Sequence, residues 1–423
     1  MTRTTLAALL AGAAWPAWAE APERAAVVDA YADIAEAAYG DSLATARELQ
    51  GAVEAFLAAP SEAGLDAARA AWVRARVPYQ QTEAFRFGNP LVDDWEGRVN
   101  AWPLDEGLID YVDASYGGAS DENPLGALNV VASPTLSLGG QEVDASAITP
   151  ALLEEINEAD GIESNVARGY HAVEFLLWGQ DLNGHGPGAG ERPWTDYAQG
   201  EACTGGNCDR RADYLRAATD LLVADLGEMA GSWAEGGPAR EAVAADPEAG
   251  VRAMLTGMGS LSYGELAGER MRLGLMLNDP EEEQDCFSDN TPMSHLYDGI
   301  GIRNVYLGAY ERVDGTTVEG PSLSALVAAA DPALDAEIRG KLDASVGALR
   351  AVADAAEGGL PYDAMLEAGN AEGERLIMGA VDALIDQTRS FERAVGALGL
   401  EQVAFEGSDS LDDPGAVAGD VFQ

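Results

Sequence analysis

The chain has 423 residues, 72 of them acidic and 25 basic, for a formal net charge of −47, with Lys341 the only lysine. Nucleic acid and anionic lipid surfaces require basic patches, so a chain this acidic excludes both as partners. The length favours two domains with a large core, and the abundance of Ala, Leu and Glu beside only 7% aromatic residues predicts an all-α protein.

The N-terminus reads Met1-Thr-Arg3, then an apolar stretch from Leu6 to Trp15, then Ala17-Trp18-Ala19 before Glu20. A basic start, a short apolar centre and a small-x-small site predict a signal peptide over 1–19, cleaved after Ala19, and hence an exported, periplasmic protein. The apolar run is too short to anchor the chain, and no later segment reads as a membrane span. Helical periodicity follows over 25–59 and 65–87. On the second helix Tyr79, Glu83 and Arg86 fall at i, i+4 and i+7, ahead of a loop containing Asn100-Ala-Trp102-Pro103-Leu-Asp105-Glu106. Glu83 is a candidate metal ligand there, and Arg86 a candidate partner for a carboxylate or an anion. The plain alternative is a surface Glu83–Arg86 pair worth about 0.2–0.5 kcal/mol.

Apolar alternation around Gly139-Gly140 predicts a small hairpin over 135–143 that leads into a helix at Thr149-Pro150. The same order recurs at 314–320 before Pro321, a faint repeat that points to two related halves meeting near residue 200. The halves are expected as two antiparallel helical bundles, over 20–200 and 201–405, with the hairpins as insertions. The helix expected over 162–178 carries two stripes: Val166, Tyr170, Val173 and Leu177, and beside them Ala167, His171, Glu174 and Trp178. With Phe175 and Leu176 covering much of the rest, this helix reads as buried. An imidazole and a carboxylate buried together are costly unless they pair or hold a cation. At i and i+3 they can reach one ion, the arrangement that helical bundles use for iron and manganese. Spacing alone favours the commoner outcome, a hydrogen-bonded structural pair.

Cys203-Thr-Gly-Gly-Asn-Cys208 is a short loop whose glycines let the sulfurs meet, and a local disulfide is expected; Cys286 is left as a buried thiol. Helices are expected again over 209–229, 261–277, 335–356 and 371–398, and residues 406–423 read as an acidic disordered tail.

The segment Asn165-Val-Ala-Arg168-Gly169-Tyr170-His171-Ala-Val-Glu174-Phe-Leu-Leu-Trp178-Gly179-Gln180-Asp181 closely resembles the signature of the imelysin family, in the branch that includes iron-regulated protein A. The resemblance continues through Pro78-Tyr79 to Phe87, Asn100 to Glu106, Gly264 to Met271, Asp285 to Thr291 and Gly301 to Tyr306. It implies two helical bundles with a site between them at the Gly-x-His-x-x-Glu helix, periplasmic or surface placement, and a link to iron acquisition. On this resemblance His171 and Glu174 are metal ligands with Glu83 as a third. Gly169, Tyr79, Arg86, Asp105, Trp178, Asp289 and Arg303 support the site. The expected ion is iron, divalent or ferric, with zinc as the alternative, delivered free or chelated and passed to an iron-transport system. Part of the family is classed as metallopeptidases, yet a zincin needs His-Glu-x-x-His or its inverse, and Phe175 follows Glu174 here. Binding therefore ranks ahead of a metal-dependent endopeptidase, and ahead of a module for haem, a siderophore or a partner protein.

Overall fold

The computed structural model describes residues 21–120, 123–415 and 417; the segment expected as a signal peptide, 1–19, lies outside the described residues. Eight longer helices build it: α1 (Arg24–Ala58), α2 (Glu62–Gln80), α3 (Gly169–Trp178), α4 (Cys208–Trp233), α5 (Pro247–Ser260), α6 (Thr291–Leu307), α7 (Pro332–Glu357) and α8 (Ala371–Ala397). α5 runs on without a break through a π-helical stretch, Leu261–Leu273, and a last α turn, Gly274–Leu277. Among the described residues no helix is long and apolar enough to cross a membrane.

Local chemistry sets the boundaries. Ser61 starts α2 by accepting the Gly64 N–H at 3.2 Å, and Asp246 starts α5 by accepting the N–H groups of Glu248 and Ala249 ahead of Pro247. The chain reverses sharply between α1 and α2, which pack along their length; α3 and α4 complete the first bundle. Tyr31, Tyr39, Phe85, Trp95 and Trp233 meet at its centre, with ring centroids 4.9–6.5 Å apart. The second bundle consists of the π-helical part of α5 with α6, α7 and α8. One large core takes in side chains of both bundles, and a smaller one lies within the second.

Both hairpins form. β1 (Thr135–Leu138) pairs with β2 (Gln141–Asp144), and Gly139 and Gly140, at φ 55° and 80°, supply the two positive-φ positions that a type I′ turn demands. β3 (Ala309–Glu311) pairs with β4 (Thr317–Glu319), and each hairpin is followed by a short helix, Pro150–Ile156 and Leu323–Ala330.

Two helices, Pro247–Ser260 and Thr291–Leu307, fall outside the expected spans, and four further expectations are corrected. α2 stops at Gln80 instead of 87, because the Thr82 N–H and hydroxyl both turn back to the Tyr79 carbonyl, at 2.7 and 2.6 Å. α3 starts at Gly169 instead of 162. α4, which follows the expected boundary at 200, packs on α1 and α3 and so lies in the first bundle. The chain from 406 to 412 is docked: the Ser410 hydroxyl donates to the Gly268 carbonyl at 3.0 Å, Arg272 holds the Ser410 carbonyl at 2.8 Å, and Tyr263 donates to Asp412 at 2.7 Å. Those three bonds exceed what a disordered tail allows; residues 418–423 lie outside the described residues.

Candidate metal centre

Gly169 opens α3 with φ 87°, a conformation L side chains rarely adopt, and a Cβ there would stand 2.6 Å from the Val99 carbonyl oxygen. That same carbonyl accepts the Tyr170 N–H at 2.7 Å, so the first turn of the helix is pinned to the chain before Trp102. Every residue of α3 is buried.

Half a turn later His171 Nδ1 lies 3.0 Å from Glu174 Oε2 and 3.8 Å from Asp285 Oδ1, and all three side chains are inaccessible to solvent. Asp285 comes from the loop between α5 and α6. It is held by Arg76 of α2, whose Nη2 donates to Asp285 Oδ1 at 2.8 Å and whose Nη1 donates to Asn100 at 2.6 Å. Asn290 donates to Asp285 Oδ2 at 2.9 Å, and the Ser294 hydroxyl donates to the same atom. Ser288 fixes the other carboxylate, donating its N–H and hydroxyl to Glu174 Oε1 at 3.0 and 2.6 Å. Trp102 packs over the imidazole at 5.1 Å between centroids, and His171 Nε2 has no hydrogen-bond partner.

Burial dominates the charge states. It pushes His171 down to about 3, helped by Arg76 and opposed by Asp285. Burial, with Asp285 nearby, lifts Glu174 well above the usual carboxylate range against the Ser288 hydrogen bonds. Burial also works to raise Asp285, but the Arg76 guanidinium outweighs it and holds that carboxyl below its ordinary value. Burial therefore favours a neutral imidazole hydrogen-bonded to Glu174 beside the Asp285–Arg76 ion pair. A cation held here would take the place of the proton between them.

The donor set fits a metal. Bonds of about 2.0–2.2 Å at angles of 90–110° set neighbouring ligand atoms about 3.0–3.5 Å apart. The 3.0 Å separation meets that, and the 3.8 Å one closes with a shift of a few tenths of an ångström. Arg76 stands to Asp285 as outer partners stand to metal ligands elsewhere, fixing the carboxylate's orientation.

The other expected residues are distributed more widely. Glu83 does not join His171 and Glu174: beyond the end of α2 it sits in a 3₁₀ turn, Glu83–Phe85, and its carboxylate takes the Arg270 guanidinium at 2.7 Å. Glu83 is thus turned away to Arg270, and the carboxylate that does lie with His171 and Glu174 is Asp285. Arg86 points to carboxylates, at 2.7 Å from Asp93, 3.6 Å from Glu96 and 3.7 Å from Glu265. Tyr79 packs on Tyr170 at 4.8 Å, under Arg76. Trp178 ends α3 edge-on to Trp72, with Arg69 over its ring at 5.5 Å. Asp105 accepts the Tyr116 hydroxyl and the Asn123 amide, and Arg303 lies at the surface 3.7 Å from Asp343. Asp289 belongs to a separate carboxylate group. Cys203 and Cys208 are joined by a disulfide, and Cys286 is buried and free.

Asp285, Ser288 and Arg76 were missed as site residues. Arg76 left a signal: it falls four residues after Trp72 and three before Tyr79, a charge on the apolar face of α2, which requires a buried partner. Beside the centre a cleft of about 470 Å³ opens between the bundles, bordered by Trp102 and Gln284; carboxylates such as Glu96, Glu265, Glu269 and Glu282 predominate in its lining, with Arg86 and Arg270 among them.

Comparison with known proteins agrees with this architecture. A curated relative, iron-regulated protein A of Synechococcus elongatus, is 39% identical over 67 residues, a match that covers 16% of this chain and 19% of the relative. The chain therefore aligns with about a fifth of that relative's length. The crystal structure of a Parabacteroides distasonis protein titled as an iron-regulated protein A precursor superposes with a TM-score of 0.64 over 90% of this chain and 97% of that one. At 19% identity that likeness shows the shared fold alone. The pattern that defines the imelysin family matches residues 35–391, most of the described chain, and so the chain belongs to the imelysin family.

Proposed function

We propose that the protein binds a metal ion as cargo at His171, Glu174 and Asp285, that the ion is iron, and that the protein serves iron uptake as an exported, periplasmic component. The observation that carries the reading is the convergence of one imidazole and two carboxylates, all fully buried, with Glu174 Oε2 and Asp285 Oδ1 at 3.0 and 3.8 Å from His171 Nδ1. Nitrogen and oxygen donors suit iron, manganese or zinc and disfavour copper(I), which prefers sulfur. The choice of iron leans on the names of the two relatives. The acidic cleft raises the local concentration of free cations and repels anionic chelates, which supports a bare ion over haem or a siderophore.

A metal-dependent endopeptidase is the second reading. Full burial of the three donors beneath Trp102 favours ion storage over attack on a polypeptide, which must reach the metal. Elemental analysis and calorimetry with Fe²⁺, Fe³⁺ and Zn²⁺ test the proposal. One equivalent per chain is expected, lost in His171→Ala with Glu174→Ala and weakened in Asp285→Asn. Unchanged uptake by the double variant overturns it, and zinc-dependent cleavage of an unfolded protein, lost on His171→Ala, favours the peptidase.

A further inference from the structure

We propose that Asp181, Asp289 and Asp363 form a second cation site, made of oxygen alone and suited to calcium, which fastens the loop carrying Asp285 and Ser288 to both bundles. One carboxylate oxygen from each lies within 4.8 Å of the other two. The three come from separate places: Asp181 follows α3, Asp289 lies in the loop between α5 and α6, and Asp363 is in the short helix Tyr362–Leu366 between α7 and α8. Asp289 is four residues from Asp285, so an ion held here restrains the segment that supplies the third donor of the His171 centre.

Carboxylates gather at many acidic surfaces without an ion. What separates this group is Glu283 behind it. That side chain is wholly inaccessible to solvent, and neither of its oxygens makes a hydrogen bond of ordinary geometry. Its polar neighbours are the Asp363 carboxyl, with which it shares a proton, the Thr291 hydroxyl and, farther off, Asp289. Asp363 is itself 1% exposed with Oδ2 unpartnered, and Asp289 Oδ1 is likewise unpartnered. Buried polar atoms are nearly always satisfied, so four unfilled oxygens on three carboxyl groups, Glu283, Asp289 and Asp363, mark a missing positive partner. Among the described residues no Lys or Arg forms an ion pair with these three or with Asp181. His185, the basic side chain that acts on Asp363, is bonded through Nε2 to the Asn278 carbonyl at 3.0 Å. The donors already present are Asn183, whose N–H and amide meet Asp181 Oδ1 at 2.9 and 2.7 Å, and the Gly188 N–H toward Asp289. Burial and mutual repulsion push Asp289 up to about 7 and Asp363 up to about 6, the cost that a bound cation removes.

The all-oxygen donor set indicates the class of ion. Calcium takes six to eight oxygens at about 2.3–2.6 Å in flexible geometry, which suits carboxylates gathered from three separate segments. Magnesium demands near-octahedral geometry at about 2.0–2.1 Å and keeps several of its waters. The His171 centre, with its nitrogen donor, favours a different metal.

The test is calcium titration of the full chain, stripped of metal, in about 0.15 M salt to screen diffuse binding to the acidic surface. One saturable equivalent is expected, retained in His171→Ala with Glu174→Ala, retained in a charge-matched control, Glu54→Gln with Asp382→Asn, and lost in Asp181→Asn with Asp363→Asn. Amide exchange on the wild type gives a readout that needs no variant to fold: calcium should slow exchange in 181–190 and 285–290. Absence of a saturable event, its survival in Asp181→Asn with Asp363→Asn, or exchange unaltered by calcium overturns the proposal.

Discussion

Replacing Gly169 with alanine tests whether the start of α3 dictates the centre. At φ 87° an L residue pays about 1–2 kcal/mol for the left-handed conformation. The new Cβ would also meet the Val99 carbonyl oxygen at 2.6 Å, carbon at 2.8 Å and Cα at 3.0 Å, all backbone, so no side chain can swing aside. Overpacking of that kind costs about 1–3 kcal/mol. The sum is about 2–5 kcal/mol, borne where Val99 pins the Tyr170 N–H and therefore where His171 is aimed. Urea denaturation of Gly169→Ala beside Gly379→Ala measures it. At Gly379 in α8 nothing lies within 4 Å of an added Cβ, and a gain of about 0.5–1 kcal/mol is expected. Should Gly169→Ala unfold within about 0.5 kcal/mol of wild type, with metal uptake intact, the claim that this glycine fixes the helix start is refuted.

Three further outcomes follow from buried charge and covalent restraint. Arg76→Met leaves Asp285 buried without its guanidinium and should cost about 3–5 kcal/mol, while adding Asp285→Leu should recover most of that loss; a double-mutant cycle in urea measures the coupling. Cys203→Ser with Cys208→Ser opens a six-residue loop and should lower stability by about 2 kcal/mol in calorimetry under oxidising conditions. Glu96 is pushed up to about 7 by burial, which outweighs Arg86 at 3.6 Å. Its folded value lies above its unfolded one, so its contribution is fully present below about pH 4.5 and is lost as pH rises through 7. Glu96→Gln should therefore gain on wild type between pH 5 and 8 in a pH series of urea midpoints, by about 1–3 kcal/mol.

Long amphipathic helices were legible because their apolar periodicity and their burial coincide, as in α1, α4, α7 and α8. α6 was not, since it is buried on most sides and contains Gly299 and Gly301, which lower helix propensity. Those glycines serve packing: a Cβ at 301 would stand 2.6 Å from the Gln81 carbonyl oxygen, and one at 299 would stand 2.4 Å from Leu349. The first half of α5 was missed for the same reason, with Gly257 against the Ala84 carbonyl. His171 and Glu174 were visible as a pair because they share one helix. Asp285 was not, since the 111 residues separating it from Glu174 are closed only by tertiary structure, and Glu83 stood in for it on a helical face that ends at Gln80.

The unbroken course of α5 limits how the molecule can open. Its first half packs on α1 and its π-helical half on α8, so a single beam on the order of 40 Å long is embedded in both bundles. A hinge needs a few residues free to absorb large changes in φ and ψ, and a continuous helix offers none. The segment from 278 to 290, which leaves the end of that beam and carries Asp285, Ser288 and Asp289, is under no such constraint. On the proposed function, loading and release would fall to that short segment beside a stationary frame, and their rates should follow substitutions there while leaving the bundles' mutual orientation untouched.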